Sequence, residues 1–293
     1  MSKQVYPTFS ICNLVASKSG NDLLNADRFK GYLSGNPHLQ VVHKHSFYHL
    51  VYFTEGEGGH VIDFVRFPVK KGMIYFMRPG QVHVWDFKGA VDGYIINFSS
   101  TFFDSLSIDT RLVDRFPFFE PRPEQQVLSL PEETQRDVER LFEAILAGQA
   151  EKDGSAPLMV ATLLLQLFIT VNRGMQQRYK PVAVSYNTVI LRNFEQLVED
   201  NFRNIRLPKE YAALLYITPN HLNALCKDLS DLSAGEVIRN RIVLEAKRLL
   251  VNFEWSVGDV ARELRFADVS YFVKFFKKYT GTTPEGFRKS HAA

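Results

Sequence analysis

The 293 residues carry 35 Lys+Arg against 32 Asp+Glu, a formal charge of +3, with 45% hydrophobic side chains and two cysteines. That length exceeds one ordinary domain and predicts two, while Cys12 and Cys226 are too few for a disulfide framework. No run of eighteen apolar residues marks a membrane span, and Met1-Ser2-Lys3 leads into no secretory hydrophobic segment, so a cytoplasmic protein without a membrane partner is expected.

From Val41 to Phe98 the chain is aromatic and β-branched, in short runs separated by turns. The runs are Phe47–Thr54, His60–Phe67, Met73–Met77, Val82–Phe87 and Gly93–Phe98; the turns include Glu55–Gly59, Lys70–Gly72 and Arg78–Gly80. Short strands at this spacing predict a small β-barrel or jelly roll. Residues two apart on a strand share a face, so His45, His83 and Trp85 are expected in one lumen, with Tyr52 and Tyr94 as further lining candidates. A barrel mouth lined by such groups would suit a small polar metabolite, a sugar for example.

A proline-punctuated passage, Phe116–Pro131, closes this domain, which is bounded at residues 1–130. Residues 131–178 read as two helices. The first opens on Pro131 with acidic residues in its first turn and is expected to bury Val138, Leu141, Phe142 and Ile145. The second, residues 158–175, is apolar around most of its circumference and falls short of a membrane span, with Thr162 and Gln166 interrupting it. It is either buried or an interface. Residues 179–186 are the expected linker, and Val189–Phe202 leads into the last domain, 187–293.

That domain holds two units of the same grammar. In the first, a helix burying Tyr211, Ala212 and Leu215 turns at Tyr216-Ile217. Thr218 then serves as N-cap and Pro219 as N1 of a second helix that buries Leu222, Leu225 and Cys226. Asn220, His221, Asn223, Ala224 and Lys227 face outward. A continuous helix, with Val237, Ile238, Ile242, Leu244, Ala246, Leu249 and Leu250 as its apolar stripe, joins this unit to the next. In the second unit a helix burying Val257, Val260, Ala261 and Leu264 breaks at Phe266-Ala267. Asp268 caps a helix that buries Phe272 and Phe276 and presents Val269, Ser270, Val273 and Lys274. Two short helices with an exposed polar N-terminal half form a helix-turn-helix that fits the major groove. Charge agrees: residues 202–293 hold 15 Lys+Arg against 10 Asp+Glu, whereas the preceding residues hold 20 against 22.

The connector RIVLEAKRLL and the ending SYFVKFFKKYTGTTPEGFR, with Gly281, Pro284 and Phe287-Arg288, resemble the DNA-binding domain of AraC/XylS transcription regulators. The order HKHSFYH, a glycine turn, then G-x6-PGQVH resembles a cupin, in particular the effector domain that precedes such DNA-binding units. The resemblance implies an α+β protein of two domains, a cupin-like barrel with a helical dimerisation segment and an all-α domain with tandem helix-turn-helix units. It also implies double-stranded DNA and RNA polymerase as partners, a homodimer through residues 158–175, an activator role, and His83 and Trp85 as effector contacts. On the reading helices Asn220, Asn223 and His221, then Val269, Ser270 and Lys274, are expected at base edges. Val273 would touch a thymine methyl, and Lys227, Lys277 and Lys278 would contact phosphates.

Two positions depart from the family pattern: Arg265 and Asp231 stand where glycine is usual in the second turn and after the first reading helix. They keep open a regulator that has lost DNA binding and acts through protein contacts. A further alternative is a metal-dependent cupin enzyme. Cupin enzymes hold a metal with H-x-H, a glutamate and a later histidine; here His43, His45 and His83 match, and His49 occupies the glutamate position. Sensor cupins of this family generally lack metal, so no cofactor is expected. Glu55–His60 resembles a glycine loop but lies between strands and opens no helix, and no Ser-His-Asp or Walker-type pattern accompanies it.

Overall fold

The computed structural model describes residues 7–14, 23–120, 123–176 and 186–291, in two compact units whose described parts are 7–176 and 186–291. Most of the expected linker, 179–185, lies outside the described residues.

The first unit opens with β1 (Thr8–Phe9), β2 (Leu24–Arg28) and α1 (Phe29–Gly35). The barrel strands follow: β3 (His43–His45), β4 (Tyr48–Glu55), β5 (Gly58–Ile62), β6 (Val65–Pro68), β7 (Met73–Met77), β8 (Val82–Phe87) and β9 (Asp92–Phe98). After a run of short 3-10 turns come β10 (Val127–Ser129), α2 (Glu132–Ala150) and α3 (Ala156–Gln176). The strands form two five-stranded sheets, ordered β1-β3-β8-β5-β6 and β10-β7-β4-β9-β2.

The expected strand His60–Phe67 is instead a tight hairpin, β5–β6, with Ile62 opposite Val65. Its two loop residues, Asp63 and Phe64, both have positive φ, 47° and 73°, as a two-residue turn matched to strand twist requires. Phe64 has no intrinsic taste for that region, and the turn lacks the glycine or asparagine that usually marks one. Asp63 is held by its surroundings: its carboxylate accepts from Gln81 Nε2 at 2.7 Å and from the Val82 amide at 3.2 Å.

Alternation along β4 and β9 sorts side chains between two cores. Val51, Phe53 and Ile95 face the lumen between the sheets, together with Phe47, Tyr75, Met77 and Trp85. Tyr48, Leu50, Tyr52, Tyr94, Ile96 and Phe98 face the other way, onto Phe142, Leu164, Leu167 and Phe168 of the helices. On α2 the four expected core residues, Val138, Leu141, Phe142 and Ile145, are buried. By length and composition α3 is apolar enough to cross a membrane. Val160, Ala161, Leu164, Leu167, Phe168 and Val171 are nevertheless buried in the core shared with the second sheet, so one face of α3 packs as a core helix. The proline passage places Phe116, Phe118 and Phe119 in that same core.

The second unit is helical: α4 (Tyr186–Asn201), α5 (Pro208–Leu214), α6 (Pro219–Ser230), α7 (Ala234–Leu250), α8 (Val257–Glu263), α9 (Val269–Thr280) and α10 (Pro284–Ser290). Helix α7, about 25 Å long at 1.5 Å per residue, is the spine; it buries Ala234, Ile238, Ile242, Val243, Ala246 and Leu250. An ionic network braces it. Arg241 bonds Glu199 of α4 at 2.6 and 2.8 Å and Glu245 at 2.9 Å, while Arg203 reaches Glu245 at 3.0 Å. Burial alone would push the Glu245 carboxyl up, but Arg241, Arg248 and Arg203 together hold it below its ordinary value. At the other end Arg288 donates to the carbonyls of Leu250 and Trp255, at 3.0 and 2.7 Å, satisfying groups at the close of α7 and in the turn beyond it.

Candidate functional site

Two helix-turn-helix units flank α7, and each starts its second helix on a side-chain cap. Thr218 Oγ1 accepts from the His221 amide at 3.2 Å, and Asp268 Oδ1 accepts from the Tyr271 amide at 2.7 Å. Helix α6 turns Leu222, Leu225 and Cys226 inward, and α9 turns Phe272 and Phe276 inward. The opposite faces carry Asn220, His221, Ala224 and Lys227 on α6, and Val269, Ser270, Lys274, Lys277 and Lys278 on α9, all exposed. Val273 is half-buried. Tyr271, 56% exposed beside Ser270, was not singled out in the sequence; its place two residues into α9 was the available signal.

Two expected contacts are engaged within the chain. Asn223 is half-buried, and its Oδ1 accepts from the Ala234 amide at 3.1 Å, anchoring the start of α7. One lone pair of that oxygen is therefore committed to the fold. Lys227 Nζ lies 3.5 Å from the Asp231 carbonyl and 3.8 Å from Glu236, an exposed contact that a phosphate can displace.

The two departures from glycine keep the glycine conformation. Asp231 ends α6 at φ 58° and Arg265 follows α8 at φ 53°, both left-handed. Tyr216, the matching turn residue of the first unit, has φ 56° and is 96% exposed. Backbone hydrogen bonds close both turns: Ile217 N to Ala212 O at 3.0 Å and Phe266 N to Ala261 O at 2.9 Å. The turn geometry survives without glycine, at a conformational cost.

The first unit holds a second constellation. His43, His45, His49, His60 and His83 are each at most 2% exposed, and Trp85 is 7% exposed. Strand pairing assembles them: His43 sits opposite His83, His60 opposite Trp85, and His49 opposite Asn97. His43 Nδ1 donates to the Val41 carbonyl at 2.7 Å, and His49 Nδ1 lies 2.7 Å from Asn97 Oδ1. His45 Nε2 lies 3.2 Å from His43 Nε2 and 2.9 Å from His83 Nε2; His83 Nδ1 lies 2.9 Å from His60 Nε2. Burial lowers the pKa of His43 to about 4 and of His49 to about 3, and burial together with the neighbouring imidazoles pushes His45, His60 and His83 well down. All five rings are therefore neutral at pH 7.

His45, His83 and Trp85 thus meet in one lumen, as strand parity predicted. Their neighbouring rings stand 4.2 to 5.9 Å apart, packed against one another. Tyr52 and Tyr94 do not join them. They lie on the opposite face of their sheet, where Tyr52 donates to Glu139 at 2.9 Å and Tyr94 to Glu143 at 2.6 Å, with Phe142 stacked on both. Each is one residue out of phase with a lumen-facing neighbour, Val51 or Ile95, and one residue decides the face. His60 was missed in the sequence, although it shares the parity of lumen-facing Ile62. Open clefts of this unit lie elsewhere, one of about 200 Å³ beside Leu24, Phe102, Gln149 and Val160, another of about 490 Å³ beside Gly56, Arg66 and Lys88.

The comparisons with known proteins follow this division. Residues 33–168 match the family model of an AraC-like ligand binding domain, and residues 211–290 match that of a helix-turn-helix domain. The uncharacterized HTH-type transcriptional regulator YfiF of Bacillus subtilis (strain 168) is 20% identical over 258 residues, 86% of this chain and 80% of its own. The HTH-type transcriptional activator RhaR of Mannheimia succiniciproducens is 20% identical over 248 residues, 84% of this chain and 86% of its own. Other relatives match over less of their length, such as YijO of Escherichia coli (strain K12), 23% identical over 49% of this chain and 48% of that protein. The crystal structure of ToxT from Vibrio cholerae is similar over 92% of this chain and 98% of its own, at 12% identity and a TM-score of 0.45. With an AraC-like ligand binding domain matched in one unit, a helix-turn-helix domain in the other, and HTH-type transcriptional regulators aligned along most of its length, the chain has the domain make-up of an AraC-type transcription factor.

Proposed function

We propose that this regulator acts in the cytoplasm as a sequence-specific activator, with residues 187–293 as its DNA-binding domain, 1–130 as its sensing domain and 131–178 as its dimerisation segment. The observation that carries the reading is the pair of capped helices, α6 and α9, whose polar faces are exposed on either side of one rigid spine. Asn220 and His221 approach base edges from α6, and Val269, Ser270 and Lys274 from α9. Lys277 and Lys278 contact phosphates and fix the register without choosing sequence. RNA polymerase is the partner through which a bound activator works.

Dimerisation uses the outer face of α3. Leu158, Met159 and Ile169 are 52%, 56% and 48% exposed there, with exposed Thr162 and Gln166 between them, a mixed face that a second copy would cover. Ligand in the sensing domain then alters the dimer geometry and the pair of half-sites that can be spanned.

The test is selection of genomic fragments by the purified protein, with a salt titration of the best site. A paired motif with half-elements about one helical turn apart is expected. Asn220→Ala should cost about 1–3 kcal/mol at one base position, and Lys277→Ala should weaken all sites and flatten the salt slope by about one. Weak, sequence-blind binding would overturn the reading.

A further inference from the structure

The five buried histidines leave three ring nitrogens without a hydrogen-bond partner. A carbonyl only accepts, so His43 keeps its proton on Nδ1 and turns a bare lone pair of Nε2 toward His45. His45 Nε2 faces His43 Nε2 and His83 Nε2 at once. If it carries a proton, one of the two receives it and His45 Nδ1 is left bare. If it carries none, two lone pairs confront each other. In either case His45 Nδ1, His49 Nε2 and His60 Nδ1 stay buried with no hydrogen-bond partner. Such a network is costly as plain core.

A cation among the facing Nε2 atoms takes up their lone pairs and gives His49 Nε2 a partner, while His45 Nδ1 and His60 Nδ1 keep their protons. We propose that this cluster is a metal site, in which His43, His45 and His83 bind one first-row divalent transition-metal ion of the zinc class through Nε2, with His49 Nε2 as the fourth nitrogen. The three donor nitrogens lie within 4.8 Å of one another. Zinc–imidazole bonds of about 2.0–2.1 Å in a tetrahedron place nitrogens about 3.3 Å apart, against the 3.2 and 2.9 Å seen here. The His49 ring stands 4.7 Å from that of His45 and 5.3 Å from that of His83.

The outer contacts are those that ligating histidines use. His43 Nδ1 is fixed by the Val41 carbonyl, His49 Nδ1 by Asn97, and His83 Nδ1 by His60 Nε2, so His43 and His83 turn Nε2 toward His45 while His49 Nε2 is left buried and unpaired. His60 is thus a positioning residue, not a ligand. Neutral imidazole is also the donor that suits zinc and its neighbours. As the ligand of the sensing domain, the ion depends on the regulator reading above; as a binding site, it does not.

Untagged full-length protein, stripped with chelator, is to be dialysed against Zn(II) or Co(II), and metal counted after gel filtration. About one ion per chain is expected, with a rise in Tm that follows free metal and, for Co(II), the intense visible bands of a tetrahedral site. His43→Gln and His83→Gln should each abolish the bands, and His60→Gln should weaken binding about 10–100-fold while keeping them. His38→Gln, outside the cluster, should change nothing. Independently of how the variants fold, the wild-type stoichiometry and Co(II) spectrum decide alone: substoichiometric metal at tens of micromolar, or octahedral Co(II) spectra, overturns the proposal. So does undiminished binding in folded His43→Gln and His83→Gln. The readout is metal alone, so failure to bind DNA leaves it standing.

Discussion

Acid should unfold the barrel well above the range in which carboxylates titrate. His43 and His49 have folded pKa values of about 4 and about 3 because burial penalises the imidazolium, against an ordinary value near 6.5. Between these limits the unfolded chain binds more protons than the folded one, so stability falls as pH falls from about 6.5 toward about 4. At pH 5, about 1.5 units below the ordinary value, each of the two histidines withdraws about 2 kcal/mol. Together they remove about 4 kcal/mol, a large part of the 5–15 kcal/mol that holds a typical domain. The measurement is urea unfolding of metal-free full-length protein at pH 7.5, 6 and 5, in the Trp255→Phe background. Trp85, in ring contact with His43, His49, His60 and His83, then reports alone. His49→Gln should lower the slope of stability against pH by about 1.4 kcal/mol per unit below pH 6. Equal stability at pH 7.5 and pH 5, or an unchanged slope in His49→Gln, refutes the burial argument.

Further expectations concern backbone and charge. Arg265→Gly and Tyr216→Gly should each raise stability by about 0.5–1 kcal/mol, because relief of a left-handed non-glycine residue outweighs the entropy of glycine; a loss in thermal or urea unfolding of both would show that the side chains earn their place by contacts. Gly93→Ala should cost about 3 kcal/mol or more in the same assay, since a Cβ there would lie 1.9 Å from the Tyr52 carbonyl oxygen. Glu245→Ala should destabilise the helical unit by about 2–3 kcal/mol by removing the shared partner of Arg203, Arg241 and Arg248, with no pH dependence above pH 6; a neutral effect would mean that Glu199 suffices. Ile169→Glu should shift a dimer toward monomer in sedimentation at micromolar concentration, and unchanged mass would remove α3 from the interface.

Periodicity made the helices legible. Caps at Thr218 and Asp268 and apolar spacing at Leu222, Leu225, Phe272 and Phe276 set α6 and α9 before any coordinates, because helix boundaries and faces are local properties. The same holds for β7 and β8, whose bounds agree with the sequence reading. What the sequence could not decide is non-local. Parity relative to His49, and not composition, puts Tyr52 and Tyr94 against α2 instead of in the lumen. Strand pairing brings His60 to His83 from 23 residues away, and the α6–α7 junction takes up the Asn223 carbonyl. Local chemistry thus determined that two helices can read a groove and that histidines line a barrel. Only tertiary packing decided that those histidines are sealed from water and brought into contact with one another, because burial and register depend on residues far apart in the chain.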